Sequence, residues 1–193
     1  MHHAAFTFLR LASLFGVTAA ASCVSEGSRP DGGRAPSPSG MVAGVGAPMV
    51  ADDRPRDYAG LHNVVAYHEG FYSGSVPDGD AGFDALAAMG VRTIISVDGA
   101  EPDVAAARAR EMRYIHLPIG YDGFDEPRRL QLVRATRDAM EAGPVYVHCH
   151  HGKHRSAGAA GTIGVSLGWL TPESAVARMK VSGAASSYAG LYA

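Results

Sequence analysis

The 193-residue sequence is poor in cysteine, with only Cys23 and Cys149. That scarcity excludes a disulfide framework and a four-cysteine zinc site. It has no excess of one charge either, with 17 Lys+Arg against 19 Asp+Glu. Without a positive field the chain is not a general nucleic-acid binder or a polybasic membrane binder. Long apolar runs are also lacking. The longest uncharged stretch near the start, Leu11 to Ser25, has 15 residues, whereas a membrane-crossing helix needs about 20. What remains is 47% hydrophobic and 19% charged, the balance of a globular chain rather than a disordered one. Histidine is the residue in surplus: four of the nine, His148, His150, His151 and His154, fall within seven positions.

The N-terminal quarter does not read as fold. Arg10 followed by an apolar run and then small residues fits a secretory signal over residues 1–22. Two cleavages are readable, one after Ala21 at an Ala-x-Ala site and one before Cys23. The second resembles the bacterial lipobox, which implies lipidation of Cys23, although Ala20 stands where leucine is usual. Residues 23–50 are expected to be a tether, since 14 of the 27 residues from 24 to 50 are Gly, Pro or Ser and bury little against their ordering cost. The expectation is an exported protein, periplasmic or at the cell envelope, held to the membrane through Cys23. Residues 51–193 then suffice for a single domain with its own core.

Within that domain strands alternate with helices. Val64–Tyr67 and Phe71-Tyr72 read as short strands around a turn at Glu69-Gly70, followed by a loop from Ser73 to Pro77. Phe83, Leu86, Ala87 and Met89 share a helical face that Gly90 terminates. Arg92–Val97 reads as a buried parallel strand, and Pro102 opens a helix running to about residue 111. Tyr114–Leu117 is the next strand. The helix from about Pro127 to Glu141 should place Leu130, Val133 and Met140 in the core and a solvated face at Arg128, Arg129, Arg134 and Arg137. Val145–His148 is a strand leading into an apolar helix over 156–168, and a last helix starts at Thr171-Pro172. Trp169 is expected in the core, and the segment from Ser186 to Tyr192 over the domain edge. This alternation gives the fold class: α/β, a mainly parallel central sheet flanked by helices.

The chemistry concentrates in His148-Cys149-His150-His151-Gly152-Lys153-His154-Arg155-Ser156, between a strand and a helix. Sites in open α/β sheets lie at the carboxyl ends of strands, and backbone N–H groups curling into a helix N-terminus cradle anions. Gly152 permits the curl. A cysteine at the base of such a loop is a nucleophile favoured as thiolate. Arg155 can offer a planar fork to two phosphate oxygens, and Ser156 can hydrogen-bond the sulfur.

The pattern His-Cys-(five residues)-Arg-Ser, with glycine third of the five, resembles the signature loop of the cysteine-dependent protein-tyrosine and dual-specificity phosphatases. Element order and the late position of the loop are similar to the compact dual-specificity type over roughly residues 58–193. The resemblance implies a protein-tyrosine-phosphatase-like fold, a phosphorylated partner or small phosphomonoester as substrate, a phosphocysteine intermediate and no cofactor or metal. It also implies a general acid on a separate loop. Asp122 and Asp125 are the candidates; the spacing to Cys149 favours Asp122, while Asp125 suits a helix cap. His150, His151, Gly152, Lys153 and His154 are candidate substrate-binding positions, through side chains or through backbone N–H groups alone. His148 is expected to support Cys149 while pointing away from the phosphate. Two other readings compete: a metal-binding module built on the histidines and Cys149, and a phosphate-binding pseudophosphatase.

Overall fold

The computed structural model describes residues 46–192. The signal, the cleavage sites, Cys23 and most of the tether fall outside the described residues. Chain order already holds at Gly46, whose carbonyl accepts from Tyr58 Oη at 3.0 Å. Ala47 packs on the core, ahead of the composition boundary at 50.

The described residues form six strands and five α-helices. In chain order these are β1 (Arg56–Tyr58), β2 (Leu61–His68), β3 (Phe71–Ser75), α1 (Gly79–Ala88), β4 (Thr93–Ser96) and α2 (Val104–Arg108). They are followed by β5 (Arg113–His116), α3 (Glu126–Met140), β6 (Val145–Cys149), α4 (Arg155–Ser166) and α5 (Pro172–Val181), with a short 3₁₀ turn at Ala189–Tyr192. The sheet order is β1-β2-β3-β6-β4-β5. β3, β6, β4 and β5 run parallel, whereas β1 and β2 add antiparallel pairs at one edge. The expected mainly parallel α/β sheet is what forms. β1 is too short and polar to show in the sequence, and β3 continues to Ser75 where a loop was expected.

Strand alternation divides the core. Val145, Val147 and Cys149 of β6 face α3, α4 and α5, while Tyr146 faces α1 and α2. Cys149 is thereby delivered to the α4 side and His148 to the other, as side chains of period two require. α4 lies against the sheet because its inner face is small: Ala157, Gly158, Ala159, Ala160 and Gly161 are all buried.

Two core assignments change. Leu130 is 40% exposed; the buried stripe of α3 is Leu132, Thr136 and Ala139, with Val133 and Met140 partly buried. The helix carries apolar residues on more than one face, and a narrow i, i+4, i+7 stripe of small side chains wins the contact. On α1, Ala87 is exposed, and Phe83 and Leu86 carry the burial. Trp169 is half-buried, stacked on His68 at 4.5 Å and tilted against Phe71 at 5.4 Å. Arg178 is buried: its Nε donates to the Ala66 carbonyl at 3.0 Å, where β2 and β3 lose regular register, and its Nη1 donates to the Asp52 carbonyl at 2.6 Å. A bulge leaves ladder groups in need of partners, and the guanidinium supplies one.

Candidate active site

The loop from Cys149 to Arg155 is held by the carboxyl end of β3. The Val76 N–H donates to the His150 carbonyl at 3.2 Å, and Asn63 Nδ2 donates to the His151 carbonyl at 2.9 Å. Asn63 itself sits at φ 56°, a conformation asparagine tolerates better than most residues. Gly152, at φ +73°, lies so close to Gly74 and Ser75 that a β-carbon would overlap their backbone. Two carbonyls are therefore turned out of the loop and fixed there.

The N-terminus of α4, like that of α1, lacks a side-chain cap. Asp103, Asp125 and Thr171 accept backbone N–H bonds at the starts of α2, α3 and α5, but His154, at the corresponding place on α4, makes no side-chain cap bond. The first-turn N–H groups of a helix lack partners inside it. Here that first turn carries Ser156, whose hydroxyl is 3.4 Å from the Cys149 sulfur, and the helix dipole favours an anion.

Cys149 is buried, and its thiol donates to Ser156 Oγ at 3.4 Å. Arg155 returns over the loop and pairs through Nη2 with Asp98 Oδ1 at 3.0 Å. Both side chains are 11% exposed. Arg155 Nε is buried and finds no hydrogen-bond partner among the described residues. The guanidinium is thus fixed at one nitrogen, while its buried Nε is left without a partner. Burial pushes the Asp98 carboxyl up, but the Arg155 charge and the Gly99 and Ala100 N–H groups outweigh it and hold it below its ordinary value. Tyr121 covers the other side, its ring 4.7 Å from Arg155 Cζ.

His148 faces away from the sulfur. Its Nδ1 lies 3.3 Å from the Cys149 carbonyl and its Nε2 2.6 Å from Tyr114 Oη. A carbonyl only accepts, so Nδ1 carries the proton and Tyr114 donates to Nε2. Burial lowers the imidazole from 6.5 to about 4, keeping it neutral. His150, His151 and Lys153 are exposed around the loop, and His154 is half-buried. The four histidines diverge: His150 and His151 meet edge to face at 4.5 Å, and His154 turns to Tyr188 at 4.7 Å. Among the described residues no three His, Cys, Asp or Glu side chains converge as metal ligands would.

The two candidate acids separate cleanly. Asp125 caps α3, accepting from the Arg128 N–H at 3.0 Å. Asp122 is exposed, follows Tyr121 on the same loop, and its carboxylate makes no hydrogen bond or ion pair among the described residues. Asp98 and Tyr121 went unnoticed in the sequence. Asp98 had a signal, since it directly follows the strand beside β6, at the sheet end where ligands bind. Tyr121 had none.

No family model matches the chain, and no curated protein matches it in sequence. Solved structures do match. TpbA of P. aeruginosa superposes with a TM-score of 0.59 at 21% identity, over 69% of this chain and 86% of its own. A mutant form of Tk-PTP gives 0.57 at 16% identity, over 67% and 91%. The core catalytic domain of the PP-IP phosphatase SIW14 from S. cerevisiae gives 0.52 at 16%, over 67% and 76%. The fold is that of the cysteine-dependent protein-tyrosine and dual-specificity phosphatases.

Two predictions follow from this geometry. Between about pH 6.5 and pH 4 unfolded chains take up a proton that native His148 refuses, so native stability falls as pH falls through that window. Thermal melts across it should show a shallower slope for His148→Asn; an unchanged slope would remove His148 as the cause. Asp98→Asn keeps the side-chain size but releases Arg155. Steady-state kinetics should show kcat for an aryl phosphate reduced roughly 10-fold or more through misplacement of the guanidinium.

Proposed function

We propose that the chain is a cysteine-dependent phosphomonoester phosphatase working through a phosphocysteine intermediate. The observation that carries this is the joint placement of Cys149 and Arg155 at the uncapped start of α4, with Arg155 Nη2 anchored on Asp98. Cys149 Sγ attacks phosphorus in line as the phosphorus–oxygen ester bond breaks. Arg155 and the loop N–H groups stabilise charge on the equatorial oxygens. Asp122 protonates the departing oxygen, then takes a proton from the water that cleaves the phosphorus–sulfur bond. The Ser156 hydroxyl, already 3.4 Å from the sulfur, can rotate to donate to the departing thiolate. Neither step calls on a metal or organic cofactor.

Neighbours of this fold differ in substrate: a TpbA structure holds pTyr, and SIW14 is a PP-IP phosphatase. The proposal for this chain is therefore the phosphomonoester, with His150, His151, Lys153 and His154 as the loop side chains nearest to it. Purified protein should hydrolyse p-nitrophenyl phosphate in excess chelator with a thiol reductant, and Cys149→Ser should abolish turnover. Loss of wild-type turnover on adding chelator would overturn the thiolate mechanism. Absence of turnover with vanadate still bound would make the chain a pseudophosphatase.

We also propose export and anchoring through a lipidated Cys23, on the strength of the apolar run and the small residues before it. Lipidation would remove the one intramolecular disulfide partner of Cys149 in an oxidising compartment. Mass spectrometry of membrane-fraction protein should find a diacylglyceryl adduct on Cys23. An unmodified Cys23 would defeat the proposal.

A further inference from the structure

The segment after α5 touches both halves of the site. At one end, the Ala185 N–H donates to His154 Nδ1 at 3.2 Å, tying the segment to the last residue of the phosphate loop. In the middle, Tyr188 stands between two rings, 4.7 Å from His154 and 4.9 Å from Tyr121. At the other end, Gly190 lies flat against the loop that carries Asp122. A β-carbon on Gly190 would overlap the Asp122 carbonyl, and one on Gly123 would come within 2.5 Å of the Gly190 carbonyl. Two backbones meet there with no side chain between them.

The segment is itself anchored. Leu191 is buried and packs on Gly158 of α4, where a β-carbon would lie 3.0 Å from it. Tyr192 Oη donates to the Ala184 carbonyl at 2.9 Å, closing the segment on itself. α4 begins with Arg155, so the helix that aims the guanidinium also seats this segment. Tyr121, the residue before Asp122, completes the circuit with its ring over Arg155.

We propose that residues 185–192 are a clamp that seats the Asp122 loop over the phosphate loop, with Gly190 and Tyr188 as positioning residues for Asp122. The proposal rests on the phosphatase reading above and on Asp122 as its acid. A clamp of this kind controls protonation of the leaving oxygen and leaves the Cys149–Arg155 cradle intact. Its signature is dependence on the leaving group: an ester whose oxygen departs easily needs little help from an acid, and a poor one needs much.

The experiment compares kcat/KM for p-nitrophenyl phosphate and phenyl phosphate, two esters of similar shape, in wild type, Asp122→Asn, Gly190→Ala and Tyr188→Ala. Because kcat/KM reports the step that expels the alcohol, intermediate hydrolysis does not blur the comparison. Gly190→Ala should lose roughly 10-fold more on phenyl phosphate than on p-nitrophenyl phosphate, in the same sense as Asp122→Asn. Tyr188→Ala should follow, and decides the matter if Gly190→Ala fails to fold. Variants that lose equally on both esters, or lose nothing, overturn the clamp while leaving the phosphatase reading intact. An Asp122→Asn variant without leaving-group selectivity overturns the acid assignment and the clamp with it. A wild type inert toward both esters overturns the phosphatase reading itself.

Discussion

The carboxyl end of β3 is the constraint on which the site depends. Gly74 leaves room for the Tyr146 hydroxyl, which donates to the Ser75 carbonyl at 2.8 Å. Ser75 Oγ accepts from the His62 N–H at 2.8 Å, and the next residue holds the His150 carbonyl. Gly152 then presses against the same two residues. A β-carbon at Gly74 would strike the Tyr146 hydroxyl, and one at Gly152 would push the loop off this support. The curl between Cys149 and Arg155 is therefore imposed from outside as much as by local preference. A five-residue turn in isolation would sample many shapes at a cost of about 1–2 kcal/mol per residue to order.

Electrostatics builds on that fixed shape. Three helix starts are satisfied by their own sequence neighbours, and α4 alone among these four keeps its first turn open. Open N–H groups and a buried guanidinium would together be a costly concentration of positive charge without compensation. Asp98 supplies part of it, at 3.0 Å from Arg155, and an anion bound in the loop would supply the rest. The same ion pair sets the direction of the guanidinium before any ligand arrives, so binding needs little reorganisation.

Legibility in the sequence followed the range of the contacts. The strand Val145–Cys149, the glycine in the curl, and Arg155-Ser156 opening a small-residue helix are local features, and their places in the fold could be read. Asp125 as a helix cap was equally local. Asp98 pairs with a residue 57 positions away (155 − 98), and Tyr121 reaches Tyr188 and Arg155 across the fold. Such pairings leave no spacing to detect. The face of α3 failed for a different reason: Leu130 and Leu132 point to different sides, and only packing against the sheet selects Leu132.

The histidine cluster, the oddest feature of the sequence, divides once the strand and loop directions are fixed. His148 lies on the far face of β6, neutral and bonded to Tyr114. His154 receives an N–H from Ala185; burial first, and then the charges of Lys153 and His151, lower it below its ordinary value. A ring that accepts at Nδ1 and packs tilted against Tyr188 serves the C-terminal segment. His150, His151 and Lys153 remain exposed, so Lys153 is the one permanent cation among the loop side chains outside Arg155. Four histidines in seven residues thus do not act as one unit. Two are spent on contacts with their surroundings, one on each side of the sheet, while His150, His151 and Lys153 stay exposed at the rim.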